Sequence, residues 1–305
     1  MRQGMANLSS AGPVRMISGL REISPDYDAI FCDIWGVIHD GIQVFRAASD
    51  ALVAYRRSGG TVILITNAPR PSGQISLQLQ NLGASPEAFD DIATSGDVTV
   101  ELMIERISEP VLHIGPDRDL TLFEAASKKG GRTLRRVPAE QAAYVLCTGL
   151  RDDTREIPEN YDSEIKGLVQ RDIPMICANP DLTIHRGDTL IYCAGALAQR
   201  YLAAGGKVSY AGKPHVPIYA RALKLAEQAR GSFLEPKKVL AIGDGMNTDI
   251  AGAATAGFDA LLVTQGIHRD ALHPGESTQA DGPKLSRLCE AYGLWPTAAT
   301  TCLRE

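Results

Sequence analysis

No stretch of the 305-residue sequence approaches the length of a membrane-spanning helix, and the first ten residues, MRQGMANLSS, lack the apolar core of a secretory signal. The expectation is a cytoplasmic protein with no membrane partner. The six cysteines (Cys32, Cys147, Cys177, Cys193, Cys289 and Cys302) show no CxxC spacing, and most lie inside apolar runs. Buried thiols in a reducing compartment fit that pattern better than disulfides or a zinc site. A large excess of either charge is also missing, with 31 lysines and arginines against 36 aspartates and glutamates. With a formal net charge of −5, nothing global attracts nucleic acid or an acidic membrane, and no nucleic-acid partner is expected. A small anionic substrate would need a local positive site. Internal repeats and low-complexity segments are absent, and no GxGxxG follows the first apolar run, which disfavours a dinucleotide-binding dehydrogenase.

What the chain does have is 44% hydrophobic residues over a length that can bury one large core or two smaller ones. Short apolar runs alternate with helical patterns. DAIFCDIWG and TVILITNAP read as strands, and RAASDALVAYRRSGG and SGQISLQLQNLG read as helices ending in glycine. The same grammar returns in KVSYAGKP, VPIYARALKLAEQARG, KKVLAIGDG, TDIAGAATAG and DALLVTQG. Runs that are apolar throughout fit strands covered on both faces of a parallel sheet. The two ends are therefore expected to form one doubly wound α/β core from residues 1–98 and 192–305. Residues 99–191, with PVLHIG, AAYVLCTG and IPMICANP, read as an inserted α/β domain.

In an open parallel sheet, ligands bind beyond the carboxyl ends of the strands. The polar residues at those places are Asp33, Thr66 with Asn67, Lys213, and Asp244 followed by Asp249. Three acids suit a hard cation such as Mg²⁺. Lys213 would neutralise a phosphoryl group, and Thr66 and Asn67 can donate hydrogen bonds to its oxygens. Asp33 is placed to attack the phosphorus as a nucleophile. Taken singly, each has a plainer role: a strand-terminal aspartate or threonine caps a turn or helix, and a lysine before proline is a solvated loop residue.

Together the motifs resemble the haloacid dehalogenase superfamily. DIWGV, LITNAP, GKP and GDGMNTDI stand in the order of its four motifs, and the insert with CANPD and CAGALAQRY resembles the C2-type cap of the class IIA, NagD-like branch. The resemblance implies a Rossmann-like α/β core with an inserted cap and an Mg²⁺-dependent phosphatase of a small phosphorylated metabolite. By the same resemblance Asp33 is the nucleophile, Thr66 and Asn67 contact phosphate, and Lys213 is the charge clamp. Asp33, the Trp35 main-chain carbonyl, Asp244 and Asp249 hold the metal. In ANPDLTIHRGD, His185 and Asp181 are candidates for substrate contact, and a homodimer through the cap is expected. A receiver-type phosphoacceptor also uses Asp, Thr and Lys, but its acidic pair precedes the acceptor, whereas Asp244 and Asp249 come last.

The chain departs from the family at Trp35. Most phosphatases of the superfamily carry there a second aspartate that protonates the leaving oxygen, and an indole cannot transfer a proton. Loss of such assistance costs about 10²- to 10⁴-fold in rate. The enzyme then acts on substrates with good leaving groups, recruits Asp40, His39 or a cap residue, or keeps the site for binding phosphate without turnover. HDG at 39–41 reads as a turn, and Trp35 as a packing residue at the pocket entrance.

Overall fold

A computed structural model describes residues 13–186, 189–273 and 280–305. In chain order its strands are β1 (Ala29–Asp33), β2 (Thr61–Thr66), β3 (Asp91–Thr94), β4 (Val111–Ile114), β5 (Tyr144–Cys147), β6 (Met175–Cys177), β7 (Thr183–Arg186), β8 (Thr189–Tyr192), β9 (Val208–Tyr210), β10 (Val239–Gly243), β11 (Asp259–Val263) and β12 (Ala298–Thr300). The helices that matter below are α1 (Arg46–Arg57), α2 (Ser72–Leu82), α3 (Ser95–Glu105), α4 (Thr121–Gly130), α5 (Asp162–Gln170), α6 (Ala194–Ala203) and α7 (Val216–Arg230). The described residues divide into two compact units, one within Met1–Thr66, Ser76–Ala93 and Tyr219–Glu305, the other within Asn67–Ile75 and Thr94–Ile218.

The first unit is built on a sheet of order β12-β11-β10-β1-β2-β3. β1 pairs in parallel with β10 on one side and β2 on the other, and β11 joins β10 and β12 in the same sense. Every residue of β1, β2 and β10 is buried, as uninterrupted apolar runs covered on both faces require. Phe31 of β1 meets Phe258 edge to face at 5.4 Å between ring centroids. Truncating such a buried ring costs about 3–5 kcal/mol. α1 buries Ala48, Ala51, Leu52 and Tyr55 and carries Arg56 and Arg57 in its last turn, where cations favour the helix dipole.

The second unit has its own parallel sheet, β4-β5-β6-β9, and an antiparallel pair, β7-β8. One face packs against α3 and α4 through Val100, Met103, Leu122 and Phe123, the other against α5 and α6 through Ile165, Leu168, Leu197 and Tyr201. Thr94 starts α3 by accepting a hydrogen bond from the Asp97 N–H at 2.9 Å.

The doubly wound parallel α/β architecture expected from the sequence is present. One strand joins a different sheet from the one expected: KVSYAGKP contributes β9, which pairs with β6 of the second unit. Its three residues carry no local signal of which sheet they will join. The second unit accordingly runs past residue 191 through α6 and β9.

Candidate active site

At the carboxyl end of the first unit's sheet, pairing of Cys32 with Ile242 brings the end of β1 beside the end of β10. Asp33 is the last residue of β1, and Asp244 is the first beyond β10. Asp249 enters from the short π-helix Met246–Ile250 that follows. The three side chains are buried, and each offers a carboxylate oxygen within 4.8 Å of the others. Thr66, buried at the end of β2, stands one residue beyond the Ile65 that pairs with Asp33.

Backbone donors and close-packed glycines fix the acids. The Ile267 N–H donates to Asp244 Oδ2 at 2.8 Å, and the Gly245 N–H donates to Asp249 Oδ2 at 3.1 Å. Gly36 has φ +81°, and a Cβ there would lie 2.1 Å from Asp244 Oδ2. Only glycine satisfies both the conformation and the approach. His268 accepts from the Met246 N–H through Nε2 at 3.3 Å, and burial pushes its pKa down.

Trp35 takes no part in the acid cluster through its ring. The indole meets His39 edge to face at 5.1 Å and lies over Gly41, where an added Cβ would come within 2.5 Å of it. His39 is buried and accepts from the Gly41 N–H through Nδ1 at 2.9 Å; burial drives its pKa down against the opposing pull of Asp40. Asp40 Oδ1 accepts from the Ile42 and Gln43 N–H groups, both at 2.9 Å, which makes it the acceptor of a turn, as HDG suggested.

In the second unit Asn67, Asp181 and Lys213 are brought together. Asn67 Oδ1 accepts from the Lys213 N–H at 2.7 Å, and its amide donates to the Lys213 carbonyl at 3.2 Å and to Asp181 Oδ1 at 2.8 Å. The amide therefore grips the Lys213 backbone as a neighbouring strand would. The Asn67 amide and one Asp181 oxygen are committed to this clamp. His185 falls in β7, and its side chain lies outside the described residues.

Sequence reasoning missed Gly266, Ile267 and His268, which brace Asp244 and the 245–246 turn. Extending the strand-end rule to β11 points to them, since DALLVTQG ends at Gly266.

Residues 30–129 match the family of haloacid dehalogenase-like hydrolases, and residues 210–287 match a HAD-hydrolase-like family. A solved haloacid dehalogenase-like hydrolase from Brucella suis is 40% identical, with a TM-score of 0.81 over 94% of this chain and all of that one. D-glycerol 3-phosphate phosphatase of Mycobacterium tuberculosis is 25% identical over 252 residues, covering 82% of this chain, which spans 66% of that relative's length. Ribonucleotide monophosphatase NagD of Escherichia coli is 26% identical over 242 residues, 78% of this chain and 88% of the relative. The chain belongs to the haloacid dehalogenase-like hydrolases, in their class IIA, NagD-like branch.

Proposed function

We propose that the enzyme is a cytoplasmic, Mg²⁺-dependent hydrolase of a small phosphorylated metabolite that works through an aspartyl-phosphate on Asp33, with the second unit as its substrate-selecting cap. The observation that carries this reading is the buried triad of Asp33, Asp244 and Asp249 at adjoining strand ends. Carboxylates this close repel one another, and a divalent cation among them removes the repulsion. The donor set is all hard oxygen, which fits Mg²⁺. The three acids and the Trp35 main-chain carbonyl would hold it. When bound, Mg²⁺ neutralises the phosphoryl oxygens.

An Asp33 oxygen attacks the phosphorus, the bond to the ester oxygen breaks, and the alcohol leaves with the electron pair and takes up a proton. Water then adds to the phosphorus, the bond to Asp33 breaks, and phosphate departs. Thr66 donates to a phosphoryl oxygen and Lys213 supplies positive charge, its backbone held by Asn67. His185 is assigned to the non-reacting part of the substrate, and Asp181 supports that side through Asn67. The Trp35 ring transfers no proton, so esters whose alcohol leaves readily are preferred.

The test is phosphate release from p-nitrophenyl phosphate, acetyl phosphate and alkyl phosphomonoesters, among them glycerol 3-phosphate and a ribonucleotide monophosphate. It is run with Mg²⁺ and with EDTA, with Asp33→Asn as control. Activated esters should turn over only with metal and Asp33, about 10²-fold or more faster than alkyl esters. Normal turnover by Asp33→Asn overturns the proposal. The same reading includes a homodimer through the second unit, and light scattering that shows only monomer removes it.

A further inference from the structure

The second unit's sheet has a crossing point of its own. Arg136 forms a parallel bridge with Val111; the Val111 N–H donates to the Arg135 carbonyl and the Val137 N–H to the Val111 carbonyl, both at 3.0 Å. Residues 135–137 thereby lie on the outer edge of β4, opposite to β5. After β4 the chain passes to α4 on one face of the sheet; after β5 it passes to α5 on the other. Where successive connections leave in opposite directions, the strand ends splay and leave a crevice, the usual ligand site of a doubly wound sheet.

A cleft of about 510 Å³ opens there, lined by Leu112, His113, Gly115, Asp117, Arg136, Val137, Pro138 and Arg151. Its volume is in the range that holds a small metabolite, roughly 300–1,000 Å³. Arg136 leans over the Phe123 ring at 5.6 Å and has no carboxylate partner among the described residues. Arg151 stacks on Tyr161 and gives one N–H from each terminal nitrogen to Glu164, at 2.9 and 2.8 Å, which leaves other guanidinium donors uncommitted. The His113 ring is oriented from behind: its Nε2 lies 3.0 Å from Thr148 Oγ1, and the Thr148 hydroxyl also bonds the buried Asp119 carboxylate. With Thr148 donating to Asp119, Nε2 carries the proton and Nδ1 is the accepting nitrogen. At Gly115, φ is +155° and a Cβ would meet Thr148 Oγ1 at 1.9 Å, so the glycine lets this chain of groups close. Burial, then Arg136 and Arg151, against a smaller opposing pull from Asp117, bring the His113 pKa down to about 4. The cleft is positive where His113 feels it.

We propose that the second unit carries a separate binding site for a small phosphate-bearing molecule in this cleft, with Arg136 and Arg151 contacting the phosphate and Leu112, Val137 and Pro138 flanking the remainder. The site uses none of the residues assigned to phosphate release. A guanidinium suits a phosphate's paired oxygens.

The test is calorimetric titration of inorganic phosphate and of p-nitrophenyl phosphate into the full chain carrying Asp33→Asn, in EDTA. Saturable binding is expected for both, weakened about tenfold or more by Arg136→Ala and retained in Lys213→Ala. Arg136 is exposed, so its removal leaves the fold intact. Crystals soaked in tungstate should show an anomalous peak between Arg136 and Arg151. Two results overturn the proposal: no saturable binding, or binding that disappears with Lys213→Ala and ignores Arg136→Ala. Neither outcome affects the phosphatase reading, which rests on turnover and Asp33.

Discussion

The two units share one plan but gather side chains of opposite charge, acids in one and arginines in the other. Each is a parallel sheet whose connections leave from the carboxyl ends of adjacent strands. In the first unit those ends hold three buried carboxylates, two of them braced by backbone N–H groups and by glycines that let them crowd. In the second unit one cleft is lined by Arg136 from the outer edge of β4, Arg151 from beyond β5 and a histidine of β4 held neutral. The sheet supplies only a place where loops converge; the loop residues decide whether a cation or an anion is welcome there.

The comparison breaks most sharply at Gly36. Valine there meets both the left-handed backbone and the Asp244 carboxylate, so Gly36→Val should cut turnover of p-nitrophenyl phosphate by about 10²-fold or more and raise the Mg²⁺ needed for half-activity about tenfold. A variant with the parent's Mg²⁺ requirement would show that Asp244 need not be held where it is. The cleft in the second unit should bind phosphate as before.

Asn67 is the corresponding brace in the second unit. Asn67→Ala removes three hydrogen bonds, two of them to the Lys213 backbone. The expected loss is about 10- to 100-fold in kcat, with a stability cost of about 1–3 kcal/mol for the buried groups left unpaired. Asn67→Asp keeps one acceptor and should fall between. Unchanged kcat in the alanine variant would mean that Lys213 holds its position without the clamp.

A smaller effect separates the units by pH. His113 titrates at about 4 in the folded chain against about 6.5 unfolded, so below about 6.5 the unfolded chain takes up a proton that the folded chain does not. Its contribution to stability is complete above that pH and is lost as pH falls toward about 4, by up to about 3 kcal/mol. Burial sets it first, then Arg136 and Arg151, with Asp117 pulling the other way; the Thr148–Asp119 pair faces the ring from behind. Denaturant unfolding of parent and His113→Gln at pH 7 and pH 5 should show a flatter pH dependence in the variant. Parallel curves would mean that His113 titrates normally.

These residues differ in how plainly the sequence announces them. β1, β2 and β10 were legible because strands buried on both faces read as continuous apolar runs, and the acids follow them directly. β12 has three residues, AAT, with no long apolar run to mark it, and β7 with β8 forms a pair, TIHR and TLIY, too short and too mixed to announce a hairpin. β9 was seen but placed in the other sheet, because partner choice is a long-range property that VSY does not encode locally. The clamp made by Asn67 was invisible for the same reason, since its partners lie 114 and 146 residues away. The second unit's cleft depends on the bridge between Arg136 and Val111, which no spacing rule announces.

The smallest expected effect bears on the proton that Trp35 cannot supply. Asp40 is the carboxylate next in sequence, and a general acid works best with a pKa raised toward the operating pH. Here the shift runs the other way: burial opposes the charge, but hydrogen bonds from the Gln43 and Ile42 N–H groups outweigh it and hold Asp40 below its ordinary value. A carboxylate so held stays ionised and accepts protons poorly, as suits the turn it closes. Asp40→Asn keeps an acceptor for those N–H groups and should leave kcat/KM for alkyl phosphomonoesters within about threefold, with the acid limb of the pH profile unmoved. A drop of about 10² or more for alkyl esters, with p-nitrophenyl phosphate spared, would instead assign Asp40 the proton and make the turn part of the chemistry. The contrast between leaving groups decides the matter, because a merely structural defect would slow both esters alike.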